Sequence, residues 1–61
     1  MKQKEIKKLA KKIAAQEKIL ATSTSPEERS KAEVEIINLS SYVNSIEDML
    51  ALDEAIQELL D

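Results

Sequence analysis

The sequence predicts an all-α fold, and three observations carry that prediction. The chain has 61 residues with no Gly and a single Pro. Ala, Leu, Ile, Lys and Glu dominate it; these are helix formers, whereas a β-rich fold needs turn glycines and aromatic or β-branched strands. Apolar residues recur at helical spacing on both sides of one polar stretch, Thr22-Ser23-Thr24-Ser25. The expected architecture is an antiparallel helical hairpin, one domain over residues 1–61, with helices over about 2–21 and about 26–60.

In the first helix Ile6, Leu9, Ala10, Ile13 and Leu20 form a single apolar stripe. At about 100° per residue, Ile6, Ile13 and Leu20 stack nearly in line. Gln16 falls where the next seam residue is due. It reads as an amide at the edge of the stripe, the commoner case, or as a polar seam residue that sets register at some cost in stability.

The hydroxyls of Thr22 to Ser25 compete for backbone hydrogen bonds and disfavour helix. Ser25-Pro26-Glu27-Glu28 then marks a helix start. Ser25 is the expected N-cap and Pro26 the first helical residue, where a missing N–H is harmless. Glu28 completes a capping box, and both glutamates face the positive end of the helix dipole. A loop of about four residues favours an antiparallel return.

In the second helix Ala32, Ile36, Leu39, Val43, Ile46 and Leu50 give a heptad-like stripe. Met49, Leu52, Ile56 and Leu59 continue the apolar series but lie about 120° around on a straight helix. One explanation is a continuous helix, kinked or wrapped over more than one neighbour. The other is a break near Asn44-Ser45, within residues 44–53, with Ser45 capping a third helix and Asp48 as its box partner. Neither Gly nor Pro marks such a break, so the continuous helix is the preferred expectation. On that helix Val34, Ile37, Leu52, Ala55 and Leu59 share a second side, which asks for another surface to cover it.

Support for so short a chain is the next question. A domain of this size buries only about 60% of the surface its unfolded chain exposes. With no Cys and no His, disulfides and the usual zinc sites are excluded. Association is the remaining support, so the hairpin is expected to form a homodimer, a four-helix bundle.

Charge is segregated along the chain. Residues 1–25 carry seven Lys against two Glu, a net of +5; residues 26–61 carry Arg29 and Lys31 against ten acids, a net of −8. The two sum to the net charge of −3. Pairing of a basic with an acidic helix favours one orientation over others, although each exposed pair is worth under about 1 kcal/mol.

These features bear on function by exclusion first. Without His, Cys or a Gly-rich loop, and with carboxylates that diverge as neighbours on a helix, an enzyme is not expected and no cofactor is implied. Glu54 and Glu58 share a face at i and i+4, but without a Glu-x-x-His motif they read as a solvated acidic surface. The longest apolar runs are a few residues, as in Met49-Leu50-Ala51-Leu52, far from the ~20 of a membrane span. The Lys-rich start lacks the apolar core of a signal peptide, so the default location is cytoplasmic. Asn38-Leu39-Ser40 matches a glycosylation triplet that chance often produces.

A protein-interaction role remains, with apolar anchors expected at Met49, Leu52, Ile56 and Leu59, joined by Val34 and Ile37. The alternative is a dimeric nucleic-acid binder that uses Lys4, Lys7, Lys8, Lys11 and Lys18 on the outer face of the first helix. The acidic balance, the single Arg and the single aromatic residue, Tyr42, weigh against it.

Overall fold

A computed structural model describes residues 1–61 as three helices: α1 (Gln3–Thr22), α2 (Pro26–Ser40) and α3 (Ile46–Leu60). α1 is the shared element. It packs along both α2 and α3, which make no close backbone approach to each other. Gln16 and Ile19 lie beside Lys31 and Ala32, and Met1 and Leu9 lie beside Leu39 and Tyr42, so α2 runs antiparallel to α1. The Met1 ammonium lies 3.1 Å from Asp48 at the start of α3, and Lys7 and Lys11 share a groove with Glu58 and Leu59 near its end. α3 therefore runs parallel to α1, and the topology is up-down-up.

The first turn forms at the expected residues but with a different hydrogen-bond pattern. Ser25 Oγ accepts the Glu28 N–H at a long 3.5 Å. The Glu28 carboxylate does not return to the Ser25 backbone. Instead the Ser23 hydroxyl accepts the Ser25 N–H at 3.2 Å and donates to Glu28 Oε2 at 2.7 Å, closing the box through a third residue. The guanidinium of Arg29 reaches back to the carbonyl oxygens of Leu20 and Ser23. α1 has no basic residue in its last turn, so α2 supplies the cation that its C-terminal carbonyls favour.

The expected continuous second helix is corrected. The chain leaves helical geometry after Ser40 and resumes it at Ile46. Ser41-Tyr42-Val43-Asn44-Ser45 contains five consecutive weak helix formers, each roughly 0.5 kcal/mol worse than Ala, so helix there costs about 2.5 kcal/mol without any Gly or Pro. Local bonds supply the alternative. Ser41 Oγ donates to the Asn38 carbonyl at 2.6 Å, and Ser45 Oγ accepts the Asp48 N–H at 3.1 Å. Val43, in the connection, is buried against the core and holds the turn in place. The Ser45 cap weighed as the second explanation is the one found, and the slipped apolar stripe is the buried face of a separate helix.

The four-helix dimer of hairpins is corrected with it: the chain forms a three-helix bundle. The core of α1 is an arc made by Ile6, Leu9, Ala10, Ile13 and Ala14. By helical spacing Leu9 and Gln16 lie on the flank toward α2, and Ala14 lies with Lys7 and Lys11 on the flank toward α3. The second flank of α1 is covered by α3 of the same chain. Leu39, Val43 and Leu52 close the cluster, with Ile36, Ala51, Ala55 and Ile56 half-buried around it. Ala10 and Ala32 are 0% and 1% exposed, so the helices approach through side chains with little bulk. Gln16 is half-buried and lines the α1–α2 groove, the edge position expected for it.

Candidate interaction surface

The anchors expected from the sequence separate into two groups. Leu52 is 5% exposed and Ile56 is half-buried; both face α1 as part of the core or packed on it. Met49 and Leu59 remain exposed on α3. Val34 and Ile37 are exposed on α2, on the side opposite Ala32 and Leu39. The single second side expected for Val34, Ile37, Leu52, Ala55 and Leu59 depended on one straight helix. The break at Ser41 to Ser45 removes it, and Leu52 and Ala55 turn inward while Val34 and Ile37 stay out.

A different set comes together on α3. Ile46 is 76% exposed, Leu50 60% and Met49 51%, and Leu60, the last residue of the helix, is exposed as well. At about 100° per residue these four occupy an arc of roughly 100°, centred about a third of a turn from Leu52. α3 thus has two apolar faces, one against α1 and one open. Ile46, Leu50 and Leu60 were not among the expected anchors, because a continuous helix assigns Ile46 and Leu50 to the main stripe. The signal that locates them is the helix start: once Ser45 caps α3, Ile46, Met49 and Leu50 stand at the i, i+3, i+4 spacing of one face.

The open strip has an acidic setting. α3 carries Glu47, Asp48, Asp53, Glu54 and Glu58 and no basic residue. By helical position Asp53 and Gln57 lie within the strip, and Glu47 and Glu54 lie beside Leu50. Asp48 is turned inward, half-buried, toward the Met1 ammonium.

The basic residues lie elsewhere. Lys4, Lys7, Lys8, Lys11 and Lys18 are all exposed along α1. The only ion pair within 4.0 Å joins Met1 to Asp48, so the expected Lys–carboxylate pairing between helices is not formed, and Lys7, Lys11 and Glu58 only line a shared groove. No three His, Cys, Asp or Glu side chains converge to hold a metal ion, and no buried side-chain polar atom lacks a partner. No helix is long and apolar enough to cross a membrane.

Fold and surface together define a small all-α domain, a three-helix bundle with an apolar strip on its third helix. Comparison with family models, with curated proteins and with solved structures finds no match in any of the three.

Proposed function

We propose that this domain is a protein-interaction module, not an enzyme, that docks a partner on the open face of α3. The observation that carries the reading is the exposure of Ile46, Met49 and Leu50 on a helix whose other apolar face is already buried. Single exposed apolar residues are ordinary, but adjacent ones on one helical face mark a surface that is covered in use. Fully burying one such side chain contributes about 1.5–3 kcal/mol, so two or three anchors are enough to matter for binding.

A photo-cross-linking residue at Leu50, compared with one at Glu33 on α2, tests this in the cell that makes the protein. A discrete protein adduct from Leu50 and none from Glu33 is expected. Absence of any adduct from Leu50 sinks the reading.

A second reading, nucleic-acid binding by the Lys face, is favoured by one observation: Lys4, Lys8, Lys11 and Lys18 are exposed and none is held in an ion pair. A gel-shift titration at two salt concentrations distinguishes it, since phosphate-driven binding weakens steeply with salt.

A further inference from the structure

We propose that the partner is a cationic amphipathic helix, apolar on one side and flanked by Lys or Arg. The inference rests on the docking reading above and adds the chemistry of the occupant. Two features of α3 select it. The open face is apolar at Ile46, Met49 and Leu50 in the first turn and again at Leu60, with Asp53 and Gln57 on the same side between them, and it spans the helix, roughly 21 Å at 1.5 Å per residue. That shape matches a helix laid alongside it more closely than a single inserted side chain. Its own helix carries acids and no bases: Asp53 lies within the strip, Glu47 and Glu54 lie beside it, and the cations near α3, the Met1 ammonium and Lys7 and Lys11 of α1, lie at Asp48 and at the Glu58 and Leu59 groove.

Four other occupants each fail on one of these features. A second copy docked α3 against α3 would bring two all-acidic helices together, a like-charge contact that suppresses pairing. The Lys face of a second copy has the right charge, but Lys4, Lys8, Lys11, Ala15 and Lys18 offer no large apolar side chain to cover Ile46 and Leu50. An anionic lipid surface attracts basic segments and repels this one. A basic segment without an apolar side leaves the strip in water. A partner with both properties satisfies the face, and its charges would set orientation and on-rate while its apolar side chains supply affinity.

The test uses the full chain and three fluorescein-labelled peptides of about four helical turns. One is a Leu/Lys peptide with a single apolar face, the second has Glu for every Lys, and the third is the Leu/Lys composition scrambled so that no face forms. The Leu/Lys peptide is expected to bind by fluorescence anisotropy, with the other two at least about tenfold weaker. Ile46→Lys with Leu50→Lys should lose at least about tenfold, whereas Val34→Lys with Ile37→Lys should stay within about twofold. Asp53→Asn with Glu54→Gln should weaken binding and flatten its salt dependence. Circular dichroism establishes that each variant keeps its helices.

No binding of the Leu/Lys peptide, equal binding of the Leu/Glu or scrambled peptide, or binding indifferent to the α3 substitutions overturns the proposal. So does a dimer, seen by light scattering, that Ile46→Lys with Leu50→Lys dissolves. That last result would leave the docking reading standing with a second copy as the partner. Failure of the Leu50 cross-link would remove the docking reading itself.

Discussion

The Ser45 hydroxyl oxygen accepts the Asp48 backbone N–H at 3.1 Å, and α3 begins at that bond. It satisfies one donor that a helix start otherwise leaves unpaired, and Glu47 and Asp48 place two carboxylates at the positive end of the dipole. Ser45→Ala should destabilise the protein by about 1 kcal/mol, and Ser45→Asp should recover most of the loss. Urea denaturation of the three proteins checks this. An unchanged midpoint for Ser45→Ala would mean that packing alone starts α3.

Joining α2 to α3 is a stronger perturbation. Ser41→Ala, Asn44→Ala and Ser45→Ala together remove the cap, the Ser41 hydroxyl bond to Asn38 and much of the propensity cost. The expected product is a helix of about 35 residues, ~52 Å long, that no longer folds back on α1. The radius of gyration should rise above its present 11.7 Å, and the uncovered Ala10 and Ala14 flank should drive self-association. Small-angle scattering reads both. Retention of the compact size would show that burial of Val43 and Leu52 suffices to hold the break.

Leu50 and Leu52 are two residues apart and predict opposite outcomes. Leu52 is in the core and Leu50 is 60% exposed. Leu52→Ala should cost about 2–5 kcal/mol and Leu50→Ala within about 0.5 kcal/mol, measured by thermal and urea unfolding. Equal effects would mean that α3 is rotated about its axis relative to this structure.

Close approach of α1 and α2 depends on Ala32, which is 1% exposed. Ala32→Leu keeps helix propensity but adds volume where none is free, and should destabilise by about 1–3 kcal/mol. A neutral result in the same unfolding assay would indicate a gap between the two helices.

Much of this fold is legible in the sequence. Composition identifies an all-α chain, the spacing of Ile6, Leu9, Ala10 and Ile13 identifies the buried side of α1, and Ser25-Pro26 marks the start of α2. The third helix is harder to read, for a specific reason. Gly and Pro are the loudest helix stops, and this chain uses neither between Ser40 and Ser45. The break is instead the sum of five modest preferences and one cap, each small beside the tertiary contacts that decide the matter. The candidate surface inherits that difficulty. Leu52 and Leu50 are both leucines on one helix, and only the position of the turn at Val43 determines which faces α1. The two faces of α3 differ in burial, not in composition, so periodicity alone reports an apolar helix without saying which side is spoken for.

The place of α1 between the other two helices also has a kinetic meaning. α2 or α3 can each detach while the remaining pair stays together, but α1 cannot leave without dissolving the whole core. Backbone amides near Leu9 to Ala14 should therefore exchange with deuterium only through global opening, and those of α3 through a cheaper, separate event. A fold ordered this way has a permanent spine and two detachable flanks, one of which carries the open apolar strip.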